Sequence, residues 1–213
     1  MYAFPKGFPD DVLKVMAERD NICKYVDIPL QHVSGKILKS MKRETERSEI
    51  EKFIEKIRTV VPAVAIRSTF IVGYPGETRN DFDELYKFLK YAQLDRVGVF
   101  TYSAEEGTPA FPLGDTVPEE VKEERRNMLM ELQQKISKEK NRKKIGTTLR
   151  VLIDDKVSSD KYIGRTEHDA PDIDNAVYVQ SQIPIEPGTF VNVKIDKAEE
   201  YDLWGNAENY SSN

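Results

Sequence analysis

The chain has 213 residues, enough for one large domain or for a medium domain followed by a small one. With 32% charged residues and a net charge of −5, its bulk composition does not support a general role on nucleic acid or on an anionic membrane surface. One cysteine rules out an internal disulfide framework, no apolar run reaches membrane-spanning length, and no signal-like start precedes Tyr2-Ala3-Phe4-Pro5, so a cytoplasmic protein is expected.

Tyr2 to Pro5 reads as the tail of a strand. Pro9 and Asp10 then open a short helix carrying Val12, Leu13, Val15 and Met16. Ile22 to His32 reads as a strand ending in polar groups, with Cys23 inside it as a buried structural thiol. Ile50, Phe53, Ile54 and Ile57 mark one face of the next clear helix. Ala65 to Val72 is β-branched and apolar, the composition of a strand buried on both faces. It stops at Gly73-Tyr74-Pro75-Gly76-Glu77, after which Thr78 and Asp81 form a capping box for a helix carrying Phe82, Leu85, Tyr86 and Leu89. Arg96 to Ser103 is another strand. Strands alternating with amphipathic helices predict an α/β region with a mainly parallel sheet and right-handed crossovers. About three complete strands and the end of a fourth are too few for a closed eight-stranded barrel, so an open, partial barrel of the TIM type is expected.

A buried parallel strand that ends in a glycine-rich turn places that turn at the carboxyl end of the sheet, where α/β proteins bind ligands. Gly73 and Gly76 allow close backbone approach, and Glu77 and Arg67 offer opposite charges. An ordinary strand-to-helix connection without a ligand accounts for the same residues equally well.

Pro118 to about Lys144 reads as a long, highly charged helix with Val121, Leu129, Leu132 and Ile136 as its apolar stripe. The period then changes. Thr148–Ile153, Lys161–Arg165, Ala176–Val179, Phe190–Ile195 and Tyr201–Gly205 read as five short strands, which predicts a small antiparallel barrel with Trp204 as its core anchor and His168 at the surface. The domain boundary is placed near residue 145, giving domains 1–145 and 146–213. From Gly146 onward, six Lys and Arg stand against thirteen Asp and Glu, a balance of −7, whereas the preceding part carries 26 against 24. An acidic barrel repels a phosphate backbone and attracts a basic protein, although the acids also serve solubility alone.

Several of these segments, in this order, resemble the methylthiotransferases of the radical S-adenosylmethionine superfamily. They are Asp27-Ile28-Pro29-Leu30-Gln31-His32, Leu38 to Arg43, Arg67 to Glu77, and Phe100-Thr101-Tyr102-Ser103 through Gly107-Thr108. The last domain resembles a TRAM domain, with Tyr162-Ile163-Gly164-Arg165 and Asp169 to Asp174 as its clearest words. Gln31-His32, the acidic turn and Ala198 to Gly205 are similar to the branch that modifies an aspartate of a small-subunit ribosomal protein. The branch that modifies tRNA adenosine usually has a Gln-Ser-Gly-Ser type of sequence where this chain has Gln31-His32-Val33-Ser34.

The resemblance implies S-adenosylmethionine and [4Fe–4S] clusters as cofactors of a longer enzyme. Such a cluster needs three closely spaced cysteines and this chain has only Cys23, so the chain is expected to be the C-terminal part of that enzyme and to hold no cluster by itself. By similarity the cofactor lies across the strand ends. Arg67 pairs with the methionine carboxylate, Gln31 and His32 face the ribose or the substrate entrance, and Thr69 joins the same set. Ile71, Gly73 and Pro75 pack on the adenine, Tyr102 and Ser103 read its edge, and Glu77 contacts the ligand or caps the next helix. The implied partner is a basic small-subunit ribosomal protein held by the acidic TRAM domain. The alternatives kept open are a tRNA methylthiotransferase and a cofactor-free protein- or RNA-binding module.

Overall fold

In the computed structural model, residues 7–208 are described, except residue 44, so the expected strand at Tyr2 to Pro5 lies outside the described residues. The chain divides into two compact units, Met1–Gln133 and Gln134–Asn213.

In the first unit, α1 (Asp10–Glu18), β1 (Tyr25–Asp27), α2 (Gly35–Ser40), α3 (Arg47–Val60), β2 (Ala65–Val72), α4 (Arg79–Ala92) and β3 (Arg96–Thr101) follow in order. The strands form a three-stranded parallel sheet in the order β1-β2-β3, with Asp27 beside Arg67 and Thr69 beside Gly98. This is the open α/β architecture that the alternation of periods predicts.

One face of β2 differs from expectation. Ile66, Ser68, Phe70 and Val72 are buried, and Phe70 meets Phe88 of α4 edge-on at 6.3 Å. Arg67, Thr69 and Ile71 alternate with them and are only half-buried. The strand is therefore sealed on the side of α4 and more open on the other, because the period-2 pleat sends these three side chains to the opposite face, where Ile71 packs against a small cluster that includes Ile37 of α2. Cys23 also departs from expectation: it precedes β1 and is exposed.

Helix α5 (Glu119–Arg142) gives its first turns to the first unit and its last turns to the second. Its inner face begins with Lys122 and Arg125, then continues through Leu129, Leu132 and Ile136, while Val121 is only half-buried.

The second unit contains β4 (Thr148–Lys156), β5 (Lys161–Arg165), β6 (Val177–Gln180), β7 (Phe190–Ala198) and β8 (Leu203–Ala207), closed in the order β4-β5-β6-β8-β7. The barrel is mixed rather than wholly antiparallel, since β6 runs parallel to β8. Five strands in a ring cannot alternate direction at every contact, so closure forces one parallel pair. Its core is aliphatic around the buried Tyr162. Trp204 lies outside that core. Leu203 and Gly205 take the inward positions and Trp204 points outward, stacked on Tyr178 at 5.3 Å and 14°. His168 is half-buried, in a loop where the Thr166 hydroxyl donates to Asp169.

Candidate functional site

The carboxyl ends of the three strands each carry a specific turn. At the end of β1, the His32 amide donates to the Leu30 carbonyl at 2.9 Å, closing a three-residue turn around Gln31 at φ 70°. A non-glycine residue in that region is strained, and such outliers gather at ligand sites. Gln31 is held there by its amide bond to the Thr69 carbonyl and by the bond that its own carbonyl accepts from Ile71, both 2.8 Å. The turn sends His32 inward to full burial, where Nδ1 accepts from the Ser34 amide at 2.9 Å. Among the described residues Nε2 has no hydrogen-bond partner, and the Glu77 carboxylate lies 4.0 Å away. Burial lowers the imidazole to about 4; Asp81 opposes this and Arg125 adds to it.

At the end of β2, Gly73 sits at φ 75°, a conformation open to glycine. The Glu77 side chain folds back over this turn, and its Oε2 accepts from the amides of Gly73 at 2.6 Å and Tyr74 at 3.2 Å. Its Oε1 takes a 2.9 Å bond from the Arg125 guanidinium. Burial pushes the Glu77 carboxyl up, while Arg125 and the two amides pull it down. Glu77 thus shapes its own turn from a buried position, while the helix cap is made by the Thr78–Asp81 box as the sequence predicts. Asp81 does more than cap. Its buried carboxylate accepts from the Ser34 hydroxyl at 2.6 Å, joining α4 to the start of α2. Burial opposes ionisation there, but the Ser34 and Thr78 bonds and Lys36 outweigh it and hold the carboxyl at about 2.

At the end of β3, the Tyr102 amide donates to the Val72 carbonyl, and the Tyr102 ring meets Tyr74 edge-on at 5.2 Å. Ile37, Tyr74 and Tyr102 form a small core with Ile71 against it. Ser103 is exposed beyond it.

The fold therefore gathers Gln31, Ile71, Gly73, Pro75, Tyr102 and Ser103 at one end of the sheet, with Thr69 one pleat further down the open face. It does not gather Arg67 there. Arg67 lies six residues before Gly73, about 20 Å along an extended strand at about 3.3 Å per residue. Its guanidinium pairs with Asp27 of the neighbouring strand at 3.3 Å.

Sequence reasoning missed Phe100, Lys122 and Arg125. Phe100 is 61% exposed on the open face, its ring against the space above Gly98. Lys122 and Arg125 are both buried although they stand in a helix that reads as solvated. The Lys122 ammonium donates to the Tyr102 carbonyl at 3.0 Å and to Asp115 at 2.6 Å, and pairs with Glu119 at 3.0 Å. Burial opposes its charge, but these acids raise its pKa overall. The signal was present in phase: 122, 125, 129, 132 and 136 share one helical face.

Open parallel strands with a structured rim at their carboxyl ends, followed by a small closed barrel, define the class. Residues 3–89 match the Radical SAM superfamily model and residues 145–207 match the TRAM domain model, so the chain carries a radical SAM region and a TRAM domain. Over 205 residues the chain is 52% identical to the ribosomal protein uS12 methylthiotransferase RimO of Cytophaga hutchinsonii and 50% identical to that of Flavobacterium psychrophilum; each match covers 96% of this chain and 47% of the relative. RimO of Clostridioides difficile is 47% identical over 205 residues, 96% of this chain and 46% of its own. The chain spans about half the length of the curated relatives it matches. Among solved structures, the radical SAM enzyme coproporphyrinogen III oxidase (HemN) of Escherichia coli shares the fold, with a TM-score of 0.55 and 12% identity over 96% of this chain and 50% of that one.

Proposed function

We propose that this chain, joined to the residues its relatives carry beyond the matched stretch, is the C-terminal part of a cytoplasmic methylthiotransferase acting on an aspartate β-carbon of a small-subunit ribosomal protein. The single observation that carries this reading is identity near 50% to uS12 methylthiotransferases across both the radical SAM and TRAM regions. Residues 1–145 would supply the cofactor-binding sheet and 146–213 the partner-binding barrel.

S-adenosylmethionine fits the strand ends on two counts. Ile71 stands half-buried against Tyr74 and Tyr102 at the carboxyl end of the sheet, and Gln31 is held at positive φ beside it by its backbone bonds to Thr69 and Ile71. Gln31, Thr69 and Ser103 would supply polar contacts to the ribose and the adenine edge, while Ile71, Gly73, Pro75 and Tyr102 would wall the base. Glu77 and His32, both buried, would hold that wall rather than touch the ligand. Arg67, set deep on the open face, would meet a carboxylate reaching down from the rim in competition with Asp27. When bound with a reduced cluster, S-adenosylmethionine supplies hydrogen-abstracting chemistry; this chain's residues bind it, orient it and exclude water. A cubane cluster does not fit this chain's own donors. Cys23 is its one thiol and lies before the amino end of β1, so the cluster's thiolates would come from outside this stretch.

The acidic barrel supports a basic protein partner through charge complementarity. RNA binding is a second reading, favoured by one observation: Tyr178 and Trp204 stack on the barrel's exterior, with the Lys197 ammonium 4.4 Å from the Trp204 ring.

The complete protein, reconstituted with its clusters, should add one methylthio group to an aspartate of ribosomal protein uS12, read by peptide mass spectrometry. Modification of tRNA adenosine with uS12 untouched would overturn the assignment.

A further inference from the structure

Helix α5 enters the cofactor end of the sheet with two cations, one turn apart on the same face. Arg125 takes Glu77 and through it the amides of Gly73 and Tyr74. Lys122 acts on the other side of the same turn. A Cβ built at Gly73 would lie 2.3 Å from Cγ and 2.8 Å from Cδ of Lys122, so the lysine stem fills the space that the missing side chain leaves. Its ammonium is buried among three oxygens, one from the end of β3 (Tyr102), one from the segment after it (Asp115) and one from α5 itself (Glu119). Three donors meet three acceptors, which is the full capacity of the group. The segment after β3 makes a second tie to the turn, where the Gly76 amide donates to the Thr116 hydroxyl at 3.3 Å.

We propose that Lys122 is a positioning residue, which locks the Gly73–Glu77 turn to the Tyr102–Ser103 strand end so that two separate strands present one preformed adenosine-binding rim. This role rests on the cofactor reading above. The chemistry favours it over simple space filling. An apolar side chain of the same length would cover Gly73 without the desolvation that a buried ammonium suffers, so a fully bonded charge here is better explained by the fixed geometry it imposes on three segments than by stability. Stem and head act on different strands, so a shift of Gly73 and a shift of Tyr102 are coupled through one side chain.

The test uses the complete protein with its clusters reconstituted, with S-adenosylhomocysteine as the probe in calorimetric titration and with amide hydrogen exchange as a ligand-free readout. Lys122→Met keeps the stem over Gly73 and removes the ammonium. It should weaken the probe by about tenfold or more, as small misplacements of a binding group do. Exchange should rise at residues 73–77 and 102–103 together, with the thermal midpoint held within a few degrees. Asp115→Asn, at an exposed carboxylate, should shift both readouts in the same direction and by less, and it keeps the test open where Lys122→Met does not fold. Faster exchange at only one of the two segments, or affinity unchanged by both variants, would overturn the positioning role while leaving the cofactor site standing. A complete, reconstituted wild-type protein with no measurable affinity at millimolar probe would instead overturn the cofactor reading and this role with it.

Discussion

His32 and Glu77 face each other at 4.0 Å between Nε2 and Oε2, with both side chains fully buried. One sits after β1 and the other after β2, so this pair joins two strand ends beneath the rim. Its chemistry is lopsided. Among the described residues Glu77 has donors in Gly73, Tyr74 and Arg125, whereas His32 Nε2 has no partner.

Acid should destabilise the sheet through His32. Its folded pKa is about 4 against 6.5 for the free side chain, so between those values the unfolded chain binds a proton that the folded chain refuses. The contribution is fully present above pH 6.5, falls as pH drops through the window, and is lost below pH 4. The change is about 3 kcal/mol at about 1.4 kcal/mol per unit. Urea unfolding at closely spaced pH values should show this loss in the wild type and not in His32→Asn, whose side-chain oxygen keeps the acceptor for the Ser34 amide.

Removing the Glu77 carboxylate should be costly. Glu77→Ala leaves two amides and a buried guanidinium without their acceptor, a loss of about 3–5 kcal/mol. The double variant Glu77→Gln/Arg125→Met should cost less than the sum of its single changes, since it removes both charges of the pair. Denaturant midpoints of the four chains check this cycle. Strict additivity would show that the pair is not coupled.

Closure of the barrel depends on Gly205. A Cβ there would lie 2.3 Å from the Lys194 carbonyl oxygen, in backbone that has little room to shift, and 2.8 Å from Cγ1 of the Val193 side chain. Gly205→Ala should destabilise the barrel by about 1–3 kcal/mol or more. Trp204, the single tryptophan, stands next to it on the outer face, so its fluorescence during unfolding reports on this unit directly.

The complete protein should associate with the basic ribosomal protein in a salt-sensitive manner, because the segment from Gly146 onward carries a balance of −7. Trp204→Ala separates the two readings of the exterior stack. If the barrel serves RNA, tRNA binding should be tight in the wild type and fall by about 1–3 kcal/mol in the variant. If it serves a basic protein, tRNA should bind weakly in both chains.

Much of this molecule was determined by residues close in sequence. Strand and helix periods predict β2, α4, β3 and all five barrel strands to within a few residues, because pleat and helical repeat act over one or two turns of chain. The Thr78–Asp81 box is equally local and forms as expected. What covers each element is not local, and only the tertiary structure decided it. Lys122 and Arg125 read as solvated charge until the fold supplies Tyr102, Asp115 and Glu77 as partners from twenty, seven and forty-eight residues away. Arg67 reads as a charge offered to a ligand at the Gly73 turn until the register sets it beside Asp27. Trp204 reads as core until Leu203 and Gly205 take the inward positions, and the parallel β6–β8 pair follows from closing an odd ring. A side chain's role in this chain depends on desolvation and pairing, and both are set by neighbours that sequence distance hides.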